Sequence, residues 1–449
     1  MKGDFTRDTF DATKHFTRVL MQQGRVQLDA DGNEQVSILL HYLQALAEDL
    51  IGPYGGPVKI VQGSEWLENQ GFKMDPILSS GTLTDLGVGA GRYYVDGVLC
   101  ENDQDSCTYF AQDDFPRERE EDQLPKDPFL VYLDVWERLM TYREDDDIRE
   151  VALGGPDTAG RAKVVWQIKV EEDLPAGMPG AGANDAAWRT WITNHWSDWM
   201  KNWQPQNRGL LTAQAKEDQQ QNTDACAVPP EARYLGMENQ LYRVEIHKGG
   251  KIEDRPTFKW SRENGSVCFS ILKTDSARIY LEHLGRDARF SLKKDDWVEI
   301  VDDTLVLSGQ AGLLLQVDEV DPLDMVVTLR VSTGTQLPVY NEQATTHPLL
   351  RRWESGDVPL VEDDPLDLES GIVIQFHSAE GNEPAPSYRT GDYWLIPART
   401  ATGDVEWPGP VGAPETRPPH GVNHHYAPLA VVVGVTAHDV RTRFSITLT

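Results

Sequence analysis

Apolar residues in the first fifty positions change from scattered to periodic near Asn33. Before that point Phe5, Phe10 and Phe16 stand among polar and charged residues, without a period long enough to bury one face. After it, apolar residues recur every three or four positions: Val36, Leu39, Leu40, Leu43, Leu46, Ala47, Leu50 and Ile51. The pattern predicts an extended N-terminal arm and an amphipathic helix that begins near Asn33 and is capped by Asp31 or Asn33. Neither part can bury its apolar residues alone, so we expect both to need a partner.

The period changes from helical to strand-like after a break rich in glycine and proline at residues 52–57. Short β-branched and aromatic runs follow, bounded by Gly, Asp and Asn, and Asp96-Gly97 predicts a hairpin turn. We expect a mainly β, α+β protein built from sandwich or barrel modules. The expected segments are an arm and helix (1–52), a first β domain (53–175), a linker with a Trp-rich helix and a polar loop (176–232), a barrel-like domain (233–335) and a C-terminal β domain (336–449).

Five tryptophans recur along the predicted helix of the third segment. They fall near one face, together with Ile192 and Met200, and are Trp188, Trp191, Trp196, Trp199 and Trp203. One interpretation is that this helix packs on its own β domain. The other is that it docks on a partner, because tryptophan is enriched at the energetic centres of protein interfaces.

Composition excludes several classes of protein. The chain has 449 residues and a net charge of −30, which disfavours binding to nucleic acid. No apolar run approaches the roughly 20 residues that cross a bilayer, and the first residues lack the apolar core of a signal peptide. We expect a protein made in the cytoplasm without a signal peptide. Cys100 and Cys107 are close enough in sequence to oxidise across a hairpin, but reduced thiols are favoured in that compartment.

Motifs with catalytic or metal-binding potential are better explained by structure. Residues 29–34 resemble a calcium loop, but the positions that need Gly and Glu hold Glu34 and Leu40. His420, His424 and His425 lie among prolines and a glycine that make a metal-binding helix improbable. Residues 260–266 (WSRENGS) are typical of a hairpin turn at Asn264-Gly265, between strands at 258–260 and 267–271. We therefore expect no enzymatic activity, no cofactor and no metal.

Several stretches resemble an uncharacterised protein family whose genes typically lie beside those of phage-tail-like contractile injection systems. They are residues 3–10 (GDFTRDTF), 22–35 (QQGRVQLDADGNEQ), 91–97 (GRYYVDG), 130–137 (LVYLDVWE), 152–158 (ALGGPDT), 238–247 (ENQLYRVEIH), 260–266 and 388–399 (YRTGDYWLIPAR). One departure is Gly32, where the resemblance predicts a tryptophan.

The resemblance implies a structural component of a contractile injection particle at the baseplate, spike or tube end. We expect the arm to dock into neighbouring baseplate, spike, tube or sheath subunits, in a homo-oligomeric ring of three or six copies within a particle that can be released from the cell. The expected docking residues are Phe5, Arg7, Phe10, Phe16, Gln22, Gln23, Arg25, Leu28, Trp188, Trp191, Trp196, Trp199 and Trp203. The alternative is a tail-associated glycan-binding or glycan-hydrolysing β protein, whose exposed tryptophans would line a groove beside two carboxyl groups.

Overall fold

A computed structural model describes residues 1–449 except 63–64, 116–122, 126–127, 181, 205–206, 217–232, 286, 379–385, 411 and 446–449. The described residues are mainly β, which confirms the predicted fold class. Most of the predicted polar loop, together with Cys226, lies outside them. No helix in the described part of the chain is long and apolar enough to cross a membrane.

The described residues contain three α-helices: α1 (Asp29–Ile51), α2 (Asp185–Trp203) and α3 (Asp303–Leu307). Helix α1 begins four residues before Asn33, and its N-cap, Leu28, makes no side-chain capping bond. The prediction of a cap at Asp31 or Asn33 was therefore wrong. Asp29 and Asp31 lie instead within the first turn, where a carboxylate interacts favourably with the helix dipole.

The strands of the first half of the described chain are β1 (Tyr54–Pro57), β2 (Lys59–Gln62), β3 (Glu65–Glu68), β4 (Met74–Ser79), β5 (Thr82–Val88), β6 (Gly91–Val95), β7 (Val98–Asn102), β8 (Phe129–Met140), β9 (Arg161–Glu171) and β10 (Leu210–Ala215). Asp96 and Gly97 both have positive φ between β6 and β7, which confirms the predicted hairpin turn.

The strands of the second half are β11 (Gln240–Lys248), β12 (Thr257–Ser261), β13 (Cys268–Asp275), β14 (Arg278–Leu281), β15 (Trp297–Val301), β16 (Leu313–Asp321), β17 (Val326–Arg330), β18 (Leu349–Trp353), β19 (Val358–Pro359), β20 (Leu366–Asp367), β21 (Ile372–His377), β22 (Tyr393–Arg399), β23 (Asp404–Val405), β24 (His425–Val433), β25 (Thr436–Asp439) and β26 (Arg443–Phe444).

The chain forms two compact units, each assembled from separate stretches of sequence. Unit 1 contains Met1–Asp8, Leu139–Arg161 and Gln206–Val422, and unit 2 contains Thr9–Arg138, Ala162–Pro205 and Asn423–Thr449. The five consecutive segments expected from the sequence are therefore grouped differently. The C-terminal strands, for example, join unit 2, because β24 pairs with β8 nearly 300 residues earlier in the chain.

Unit 1 contains a closed six-stranded barrel, in the order β13-β14-β17-β16-β15-β18. Its interior is apolar and includes Phe269, Ile300 and Leu350. A five-stranded sheet, β19-β12-β11-β22-β23, and a three-stranded sheet, β10-β21-β20, share a second core around Phe258, Phe376 and Trp394 in the same unit. A barrel is thus present, but its bounds differ from the expected 233–335, because β18 lies beyond that range and β11 and β12 belong to the five-stranded sheet.

Unit 2 is organised around β8, whose residues are almost continuously apolar because both of its faces are buried. In the sheet β25-β24-β8-β9, Phe129, Val131 and Leu133 join the main core of the unit. Leu130, paired directly with Val431 of β24, points to the other face and packs against helix α2.

Candidate assembly site

Helix α1 buries one narrow face and exposes the face that carries its leucines. Ala30 and Ile38 are almost fully buried, at 2% and 1% exposure. Near the other end of the helix, a Cβ at Gly97 would meet the backbone of Gln44, so only glycine allows the hairpin to approach this closely. The opposite side, here called the leucine face, is exposed: Val36 (54%), Leu39 (51%), Leu40 (43%), Leu43 (62%), Leu46 (56%) and Leu50 (76%).

The leucine face is a continuous stripe along the helix. Val36, Leu43 and Leu50 are seven residues apart, and Leu39 and Leu46 interleave with them, so the stripe follows one side of the helix for about 21 Å. A surface helix normally turns such a stripe toward its own core. Contiguous exposed apolar surface of this kind marks an interaction site.

The predicted N-terminal arm divides into two segments in the structure. Residues 9–28, for which the name arm is kept from here on, begin alongside α1. Thr9 Oγ1 donates to Glu34 Oε2 at 2.5 Å, the rings of Phe10 and His41 lie 5.8 Å apart, and the Val19 amide donates to Gln35. The rest of the arm is exposed, including the predicted docking residues Phe16, Gln22, Gln23, Arg25 and Leu28. The structure therefore places these residues on a surface that also includes Leu20, Met21 and Val26.

The first eight residues, Met1–Asp8, belong to unit 1 and form an anchor segment there. The Lys2 ammonium lies 2.8 Å from Glu245 Oε1, and the Asn264 side-chain amide donates to the carbonyl oxygen of Gly3 at 2.9 Å. Arg7, a predicted docking residue, pairs with Glu406 at 2.7 Å. The predicted docking residues of the N-terminal stretch thus divide between two segments. Phe5 and Arg7 lie in the anchor segment, and the others lie in the arm: Phe10, Phe16, Gln22, Gln23, Arg25 and Leu28.

A buried network of charges lies below the anchor segment in unit 1. Arg243, Glu245, Lys259 and Glu299 are at most 2% exposed. Arg243 Nε donates to Glu245 at 2.6 Å, and Lys259 Nζ lies 2.7 Å from Glu299 and 3.5 Å from Glu245. Glu299 also accepts from the indole N–H of Trp353 at 2.9 Å. Each buried charge therefore has an opposite charge in contact, which burial requires.

These contacts set the protonation of both carboxyl groups. Burial alone raises the pKa of Glu245, but Lys2, Arg243 and Lys259 outweigh it and hold that pKa well below its usual range. Burial also opposes ionisation of Glu299, and Lys259 and Lys2 reverse the effect, which lowers the pKa of Glu299 to about 2. Both groups are ionised at neutral pH. The anchor segment contributes to this balance through Lys2.

The sequence analysis did not predict this network, because β11 has the alternating pattern of a half-exposed strand. Its charged residues Arg243, Glu245 and His247 alternate with Tyr242, Val244 and Ile246, a pattern that normally indicates a face turned to water. The alternating charges of β11 were the feature of the sequence from which the buried network could have been predicted. The turn predicted at Asn264-Gly265 is present, with positive φ at both residues, but it joins strands of different sheets and is not a hairpin.

Helix α2 packs on its own unit. Trp188, Trp191 and Trp199 are buried against Leu130 and Val431, with Trp196 and Trp203 partly buried beside them. The indole of Trp203 also stacks on Tyr132 at 4.1 Å. This is the first of the two interpretations offered above, and the assembly surface proposed below omits these five tryptophans.

The remaining candidates have structural surroundings. His424 pairs with buried Asp134 at 2.7 Å, and His425 pairs with Asp96 at 3.0 Å. Among the residues that the structure describes, no group of three or more His, Cys, Asp or Glu could hold a metal ion. Cys100 and Cys107 are buried free thiols, and burial raises the pKa of Cys107 to about 11.

The fold and this surface define a mainly β protein with an exposed apolar helix face and arm near its N-terminus. The chain belongs to DUF6519, a family of unknown function, which matches residues 1–189 and 204–446 and so includes the anchor segment, the arm and α1. No curated protein and no solved structure matches the chain.

Proposed function

We propose that this chain is a structural subunit of a phage-tail-like contractile injection particle, positioned at its baseplate, spike or tube end. The particle setting rests on the sequence resemblance described above. The observation that supports an assembly role is the exposed leucine face of α1: the helix buries Ala30 and Ile38 on its other side and leaves five leucines and Val36 exposed. An apolar stripe of this extent is costly in water and is accounted for when a partner covers it.

The tryptophans bear on the glycan alternative, which requires them to line an open groove. Outside α2, Trp136, Trp260, Trp353 and Trp394 are buried, and the other tryptophans whose side chains are described are half-buried. Their indole N–H groups bond within the chain in several cases, as Trp353 does with Glu299 and Trp394 with the Arg417 carbonyl. Scattered, buried tryptophans favour the structural proposal.

The test is incorporation into particles purified from the native host. Leu43→Glu places a charge at the centre of the leucine face and is expected to abolish incorporation. Leu78→Glu is the matched control, because Leu78 is also exposed (49%) but lies in the β4–β5 hairpin. Mass spectrometry and electron microscopy of the particles measure copy number. Normal incorporation of Leu43→Glu refutes a role for this face, and absence of the wild-type chain from intact particles refutes the proposed function.

A further inference from the structure

The leucine face has a second apolar surface of matching extent on the same chain. The exposed apolar residues of the arm are Phe16 (54%), Leu20 (69%), Met21 (54%), Val26 (83%) and Leu28 (47%), which together amount to about three fully exposed side chains. The leucine face amounts to slightly more than three. At about 100 Å² of apolar area for each fully exposed side chain, the area to which side-chain transfer free energies correspond, each surface offers about 300 Å².

Charge distinguishes the two surfaces. The arm carries three basic residues, Lys14, Arg18 and Arg25, against one acidic residue, a net charge of +2 in a chain whose total is −30. Helix α1 carries Asp29, Asp31, Glu34, Glu48 and Asp49 and no Lys or Arg, a net charge of −5. Two α1 helices therefore repel each other, whereas an arm and an α1 attract.

The arm leaves the leucine face of its own copy exposed. It contacts its own α1 through Glu34, Gln35 and His41 and then continues to Leu28 as an exposed segment. The occupant of the face must therefore come from elsewhere. The nine residues from Leu20 to Leu28 span up to about 30 Å when extended, which is long enough to reach a helix on an adjacent molecule.

We propose that the partner of the leucine face is the arm of a second copy of this chain. Arg18 and Arg25 of one copy approach Glu48 and Asp49 of the next, all four being exposed, while the apolar residues of the arm cover the leucines. The two surfaces differ, so the contact is head-to-tail and closes into a ring when the rotation allows.

The size of the contact is also consistent with a ring. An interface averages about 800 Å² per partner, of which somewhat more than half is apolar. One arm on one helix supplies less than that, so a single contact is expected to be weak. A closed ring holds each copy through two contacts, one by its arm and one by its leucine face, and the second contact forms within an assembly that already exists. The inference rests on the proposed assembly function and names the partner for the same surface.

A complementation experiment tests the proposal with two full-length variants. The face variant, Leu39→Glu with Leu43→Glu, keeps the arm, and the arm variant, Arg18→Glu with Arg25→Glu, keeps the leucine face. Analytical ultracentrifugation at low ionic strength is expected to show association of the wild-type chain and monomers for each variant alone. An equimolar mixture of the two is expected to form dimers and nothing larger, because only one productive contact remains.

Restored charge complementarity provides the second measurement. The arm variant is expected to associate about tenfold or more weakly than the wild-type chain. Adding Glu48→Lys and Asp49→Lys to it should recover most of this loss, since opposite charges then face each other again. Circular dichroism shows whether each variant folds. An arm variant that associates like wild type indicates pairing between helices and overturns the proposal.

A wild-type chain that remains monomeric at high micromolar concentration also overturns it. If such a chain still enters particles through Leu43, the proposed function stands and the partner is another protein. If it neither associates nor enters particles, both conclusions fail.

Discussion

Substitutions at two residues of α1 distinguish an effect on stability from an effect on the proposed assembly, because the two residues lie on the same helix with opposite exposure. Ile38 is 1% exposed and Leu43 is 62% exposed. Truncation of each to alanine removes a similar amount of side chain. Helix propensity favours both changes slightly, so the difference between them reports burial.

The expected magnitudes follow from that exposure. Ile38→Ala deletes a fully buried side chain and should lower the free energy of unfolding by about 2–5 kcal/mol. Only about two fifths of Leu43 is buried, and complete burial of a leucine stabilises by about 1.5–3 kcal/mol, so Leu43→Ala should cost about 1 kcal/mol or less. For association between copies the expected order is the reverse. Leu43→Ala should weaken association more than Ile38→Ala does, provided that the Ile38 variant folds.

Urea unfolding of the full-length chain, followed by circular dichroism at low protein concentration, measures the first effect. Dilution matters because association stabilises the folded state by mass action. The comparison uses the transition in which helical signal is lost, since a chain of two units need not unfold in one step. Equal destabilisation by the two variants would mean that the leucine face is packed within its own molecule, and the reasoning would be refuted.

Three further predictions concern the supports of this surface. Gly97→Ala should destabilise the packing of the hairpin on α1 by more than about 1 kcal/mol, because φ is positive at Gly97 and the added Cβ meets the helix backbone. Gly32→Ala, with open space around it, should stabilise the helix by up to about 1 kcal/mol. Thermal unfolding measures both effects. Lys259→Met should cost about 3–5 kcal/mol in urea unfolding by leaving Glu245 and Glu299 as a pair of buried carboxylates with fewer cations, and no loss would show that water reaches them. Acid should remove the contribution of Glu299 as pH falls from about 4.5 toward 2, since its folded pKa lies below its unfolded value; a pH titration of stability that is flat over this range would contradict the assignment.

The amphipathic pattern of α1 was readable from sequence, but its orientation was not. The three-and-four spacing of Leu39, Leu43 and Leu46 predicts a helix with one apolar side wherever that side points. Burial of Ala30 and Ile38 on the other side, and the approach of the Asp96-Gly97 hairpin to Gln44, are tertiary contacts that sequence periodicity does not encode. The predicted need for a partner follows from the pattern, and the structure adds which face is available.

Local sequence determined the β-rich class, the Asp96-Gly97 turn and the two long helices, because strand alternation, turn preferences and helical periodicity act over fewer than twenty residues. Tertiary structure alone decided that the charges of β11 are buried, since Lys259 faces them from the neighbouring strand and Glu299 and the anchor segment reach them from distant parts of the chain. It also decided that β24 joins β8 in unit 2. Pairings of this kind are set by the shape and charge of surfaces that exist only after the local elements have formed, so a linear pattern does not specify them.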